Sequence, residues 1–171
     1  MGLDVGQPER EFIEKEGVIM WKSLTGTALG MLLAVPLIVQ AQTHGIMHLT
    51  SGDDIERVEE RLRAAIDEKG LTLMNVVDHA ANAKQAGLSL PATRTFIFGN
   101  PAVGTPMMQC QGSMALDLPQ KMVVRETDDG VRLEWNSPHY MAERHGLQGC
   151  DLPLDKVAGV LEGVAGAAAG P

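Results

Sequence analysis

Five polar residues stand where this chain could do chemistry. Asn100, Thr105, Asp117 and Lys121 lie within or just after a glycine-proline stretch, Gly99-Asn100-Pro101-Ala102-Val103-Gly104-Thr105-Pro106, and His79 lies upstream of it. A carboxylate and an amine close in sequence, with an amide and a hydroxyl nearby, are the types that hold a small polar ligand or move a proton. If the stretch meets the Asp117-Leu118-Pro119 segment, then Asn100, Gly104, Thr105, Asp117 and Lys121 line one cleft. His79 and His145 are further polar members of that group. Each residue also has a structural use. Asp117 and Asn100 can cap backbone groups, Lys121 can be solvated or pair with Asp117, and His79 can simply begin a helix.

Gly99-x-x-x-x-Gly104-Thr105 has the glycine spacing of a phosphate loop. The lysine that should follow Gly104 is absent, and Pro106 occupies the position of the metal-binding hydroxyl. That argues strongly against a nucleotide-binding loop. A milder expectation survives. Thr105 as N-cap and Pro106 as first residue would start a short helix through Gln109, whose free N–H groups suit a carboxylate or another anion. The alternative is a turn and a cap with no ligand.

The chain has no paired-cysteine zinc motif and no Ser-His-Asp order built on a nucleophile elbow. Copper is the metal its donors would take. Cleavage after Ala41 would expose Gln42-Thr43-His44, whose amine, amides and imidazole form a square-planar chelate. Met107, Met108 and Cys110 are a soft group suited to Cu(I). Cyclisation of Gln42 would remove the first site, and core packing is the competing use of the methionines. No other cofactor is expected. Cys110 and Cys150, the two cysteines of the chain, form a disulfide, remain thiols or link two molecules; spacing does not decide.

The elements that must position these residues follow from periodicity. Residues 46–50 read as a strand, and Asp53 with Glu56 as a capping box before an amphipathic helix ended by Gly70. Residues 71–77 form the next strand, 80–86 a short helix, and 93–98 a buried central strand. Asp128-Asp129-Gly130 turns a hairpin between 121–126 and 131–136. Ser137-Pro138 starts a helix that Gly146 ends. A weak helix over 154–168 carries Gly159, Gly163 and Gly166. The order β-α-β-(α)-β-(α)-β-β-α-(α) is that of an α+β fold. It implies a mainly antiparallel sheet of about five strands with helices mostly on one face.

The 171 residues suffice for one domain with a real core. The net charge of −8 argues against nucleic acid and against an anionic membrane surface. Residues 20–41 read as a signal peptide. Met20-Trp21-Lys22 is the basic start, an apolar run broken by Gly30 and Pro36 follows, and Val39-Gln40-Ala41 is the cleavage site. The alternative is an uncleaved anchor, the one expected link to a membrane. Residues 1–19 hold five acids and two basic residues, unlike such a start. They read as an extension upstream of a true start at Met20. The expected organisation is 42–152 as a single α+β domain and 153–171 as a weak helix and tail. The expected location is periplasmic or secreted.

Several linked stretches resemble one family. They are Asp78-His79-Ala80-Ala81, Ala83-Lys84, Gly87-Leu88 and Phe98-Gly99-Asn100-Pro101, then Gly104-Thr105-Pro106-Met107-Met108-Gln109, Leu116-Asp117-Leu118-Pro119 and Glu143-Arg144-His145-Gly146-Leu147. In this order, over residues 44–165, they resemble the domain of unknown function 302 family. The resemblance implies a TATA-binding-protein-like α+β fold with a curved antiparallel sheet, often dimeric. It implies no activity, and the likeness to a DNA-binding fold says nothing of DNA. The leading expectation is therefore an exported ligand-binding or protein-interaction module, homodimeric, taking a small polar or anionic ligand. The alternatives are an enzyme acting through Asp117 and Lys121, and a periplasmic copper or redox accessory protein.

Overall fold

A computed structural model of the chain describes residues 44–171; the expected signal peptide and upstream extension lie outside the described residues. Chain order is β1 (Ile46–Ser51), α1 (Ile55–Glu68), β2 (Thr72–Asp78), α2 (His79–Gln85), β3 (Thr93–Gly99) and α3 (Pro101–Cys110). A 3-10 turn (Gly112–Leu116), β4 (Gln120–Thr127), β5 (Gly130–Asn136), α4 (Pro138–His145) and α5 (Leu154–Ala169) follow.

The five strands form one sheet in the order β1-β5-β4-β3-β2, with every neighbouring pair antiparallel. This is the expected α+β architecture. Alternation along the strands sends one set of side chains into the core. Phe96 and Phe98 of β3, Met122 and Val124 of β4, and Val131, Leu133 and Trp135 of β5 are all buried. Val58, Leu62 and Ile66 of α1 cover them together with Leu161, Val164 and Ala168 of α5. Arg94 ties the same face to α1 by bridging Glu59 and Asp78. The other face of the central strands carries the partly exposed Ile97, Lys121, Val123, Arg125 and Glu134.

α5 is more than a weak tail. Its Ala165 and Ala168 are fully buried, and small residues let its backbone approach α1 closely enough to bury that face. Tertiary packing thus outweighs the helix-breaking tendency of its glycines. A second, smaller core lies beyond the end of the sheet. Met107, Met114, Met141, Ala142 and Leu147 pack there between α3, the 3-10 turn and α4. Cys110 and Cys150 are joined by a disulfide beside it, with a Cα–Cα distance of 6.4 Å.

Two expected caps move. α1 is capped by Asp54, whose Oδ1 accepts from the Arg57 N–H at 2.8 Å; Asp53 instead pairs with Arg61 at 2.8 Å. More consequentially, α3 starts at Pro101 and not at Pro106. Asn100 is its N-cap, accepting from the Ala102 N–H at 2.9 Å, and Pro106 lies inside the helix. Thr105 is therefore a mid-helix residue with no free N-terminal end to offer an anion. Asn100-Pro101 and Thr105-Pro106 are both N-cap and N1 pairs. Starting at the first one sends Val103 and Met107 together into the methionine core.

Candidate functional site

A cleft of about 510 Å³ opens where α3, the front half of α5 and the α1–β2 connection meet the ends of β3 and β4. The volume is ordinary for a small-molecule site. Each wall follows from a local feature. Asn100 caps α3 so that Val103, Gly104 and Met107 or Met108 face the opening. The Leu118-Pro119 bond is cis, and both residues line the cleft. Val157, Val160 and Leu161 of α5 form the facing wall, with Leu71 and Met74 at the side. Met74 stands at a register shift between Leu73 and Asn75; such an irregularity re-aims a side chain out of the strand's alternation.

The lining is dominated by aliphatic, methionine and proline side chains. Its polar members are Asn100, Thr105 and Gln120, and its charged members are Lys69 and Lys156. No carboxylate lines it. Both lysines are exposed, so the positive potential they give the opening is screened by water and salt. Lys69 is the C-cap of α1 and Lys156 belongs to the first turn of α5, so the two cations come from different helices.

The structure divides the residues singled out by sequence. Asn100, Gly104 and Thr105 line the cleft. Lys121 does not join them. Its Nζ donates to the carbonyls of Asp117 at 2.9 Å and Pro119 at 3.1 Å, so it stitches the chain entering β4. The Asp117 carboxylate is engaged elsewhere, with His145 Nε2 at 2.6 Å and Arg144 Nη1 at 3.2 Å. His79 shares a 2.8 Å hydrogen bond with Thr95 Oγ1. These groups do not converge, which removes the geometric basis for acid–base work shared by Asp117 and Lys121.

The soft-metal group fares similarly. Cys110 sulfur is bonded to Cys150 and is not available as a thiolate ligand. Met107 is buried in the small core, Met108 packs against it, and both line the cleft. His44 is exposed; Gln42 and Thr43, its partners in the expected chelate, lie outside the described residues.

Sequence reasoning missed Lys69 and Lys156, which sit on a helix cap and in a helix read as weak. It also missed that Asp117, His145 and Ser113 form a hydrogen-bonded chain, with Ser113 Oγ 2.9 Å from His145 Nδ1. The one available signal was that Asp117 and His145 both fall in family-like stretches.

Comparison with known proteins agrees with the fold. A family model described as "Domain of unknown function DUF302" matches residues 47–165. The fluoride-specific ion channel FluC 1 of Brucella suis biovar 1 is 39% identical over 104 residues, covering 60% of this chain and 41% of that protein. FluC 1 of Brucella abortus biovar 1 is also 39% identical over 104 residues, covering 38% of its length. The chain thus spans about two fifths of these curated relatives. Among solved structures, an uncharacterized conserved protein DUF302 from Bacillus stearothermophilus superposes with a TM-score of 0.60 at 15% identity. The match covers 73% of this chain and 95% of that one, a likeness of fold.

Proposed function

The chain belongs to the DUF302 family, and on that premise we propose that it is a ligand-binding module whose cleft takes an apolar molecule carrying one anionic group. One observation carries this reading: the cleft is walled by apolar side chains, and its charged members are two lysines without a carboxylate. An alkyl body would leave water against Val103, Val157, Val160 and Leu161, gaining about 0.8 kcal/mol per buried methylene before binding costs. A carboxylate or phosphate head would lie toward Lys69 and Lys156. A ligand of this chemistry keeps the expected anion but moves it from the Thr105 helix start to the lysines.

Export is part of the same proposal. The Cys110–Cys150 disulfide supports an oxidising compartment, where such a bond persists. Channel activity is named for the Brucella proteins and belongs to them. The match covers about two fifths of their length. Among the described residues no helix is long and apolar enough to cross a membrane. A bare fluoride ion would also lose its hydration in this apolar cleft with little return.

The test is equilibrium binding to the full chain with three probes: decanoate, decanol and sodium fluoride. Decanoate binding in one-to-one ratio, well above decanol, supports the proposal. Equal binding of the two would leave the lysines without a role. Binding of fluoride but not decanoate would overturn it.

A further inference from the structure

We propose that Ser113 is an activated nucleophile, able to accept an acyl group from a small ester, with His145 as its base and Asp117 as the group that positions the base. Its residues are separate from the lysine-edged cleft, and the inference does not depend on that cleft binding anything.

With a neutral imidazole and an ionised carboxylate, the geometry sets the direction of the proton. Asp117 Oδ2 lies 2.6 Å from His145 Nε2, and an ionised carboxylate only accepts hydrogen bonds. Nε2 therefore carries the hydrogen. In the neutral ring Nδ1 is then the bare nitrogen, and it lies 2.9 Å from Ser113 Oγ. The serine hydroxyl must donate to it, which is the arrangement of a nucleophile and its general base. Arg144 Nη1 approaches both oxygens of the same carboxylate, Oδ2 at 3.2 Å and Oδ1 at 3.4 Å, and so helps to orient it.

Burial and anchoring fit that use. The His145 side chain is 5% exposed and that of Asp117 13%, so the base and its orienting group are shielded while Ser113 is open to solvent. The backbone holds the parts in place. Ser113 belongs to the 3-10 turn whose C-cap is Asp117, and His145 ends α4 just before the left-handed Gly146. The Cys110–Cys150 disulfide links the chain shortly before Ser113 to the chain shortly after His145. Two segments remote in sequence are thereby held together around the hydrogen-bonded chain.

In the step itself, Ser113 Oγ forms a bond to the ester carbonyl carbon and its proton passes to His145 Nδ1. The ester C–O bond breaks, and the leaving alkoxide takes that proton as an alcohol. Water then attacks the acyl-serine carbon and gives a proton to Nδ1. The serine oxygen leaves with that proton, releasing a carboxylic acid and restoring the starting state.

The test uses the oxidised full chain, a fluorophosphonate probe and p-nitrophenyl acetate. The fluorophosphonate adduct should map to Ser113 by peptide mass spectrometry and be absent from Ser113→Ala, an exposed and well-tolerated change. The acetate should give a burst of one acetyl group per chain. His145→Gln should slow labelling by roughly a hundredfold, the ordinary scale of a lost general base. Asp117→Asn should slow it as well. In the wild type, labelling should accelerate as pH rises, and His145→Gln should flatten that dependence. No adduct on Ser113, or a labelling rate that does not change with pH, would overturn the proposal even if the histidine variant fails to fold.

Discussion

Lys69 and Lys156 reach the same cleft from the end of one helix and the start of another. A lysine as C-cap suits the negative end of α1, so Lys69 has a local reason to be where it is. Lys156 does not: a cation in the first turn of α5 opposes that helix's positive end. The proposed anionic ligand would give it a partner in the cleft. Lys156→Gln should therefore leave stability unchanged or slightly raised. It should weaken decanoate binding by about fivefold, the scale of one partly exposed charge interaction. Thermal unfolding and calorimetry on the same variant check the two halves of that expectation.

Gly104 tests the cleft's shape. It sits inside α3, where glycine costs about 1 kcal/mol relative to alanine. A Cβ there would meet Leu118 Cδ1 at 3.5 Å, an ordinary contact. Gly104→Ala should stabilise the protein by about 0.5–1 kcal/mol. Gly104→Phe should fill part of the cleft and abolish decanoate binding with the fold intact by circular dichroism. Retained binding in the phenylalanine variant would place the ligand elsewhere.

Lys121 gives the opposite contrast. Its amine serves two backbone carbonyls, so Lys121→Met should cost about 1–2 kcal/mol of stability and leave decanoate affinity unchanged. A lost affinity with unchanged stability would return Lys121 to the site.

The disulfide closes a loop with a sequence separation of 40 residues beside the small methionine core. Reduction, or Cys110→Ser with Cys150→Ser, should lower unfolding free energy by about 2–4 kcal/mol. Urea titrations with and without reductant measure this.

Acid sensitivity should trace partly to Glu134. Arg125 donates to it twice, at 2.7 and 3.0 Å. That hydrogen bonding holds its carboxyl below the usual glutamate range against the opposing effect of burial. A carboxyl lowered on folding contributes stability above its unfolded range and loses it as pH falls through the folded value. The urea midpoint should thus fall more steeply on acidification in the wild type than in Glu134→Gln. Parallel curves would remove Glu134 from the acid response.

Much of the fold was legible because its signals are local. The Asp128-Asp129-Gly130 turn, the apolar stripe of α1, and the Ser137 and Gly146 caps of α4 each depend on a few neighbouring residues. The start of α3 was not. Asn100-Pro101 and Thr105-Pro106 are equally good beginnings, and the packing of Val103 and Met107 against distant Met114 and Met141 selects the first. The same limit hid the site. Asn100, Gly104 and Thr105 could be named because they share one stretch, whereas Lys69 and Lys156 line the same cleft only after α1 and α5 pack together. Asp117 was noticed for its charge, but its partner His145, and Ser113 bonded in turn to His145, are brought together by α4 and the disulfide.

The most direct measurement is calorimetric titration of decanoate into the full chain and into the double variant Lys69→Glu with Lys156→Glu. The wild type should bind one decanoate with a Kd on the order of micromolar, and the double variant should bind at least about tenfold more weakly while unfolding at a similar temperature. Equal affinity in the two proteins, or no binding to the wild type, would contradict an anionic ligand held by these lysines.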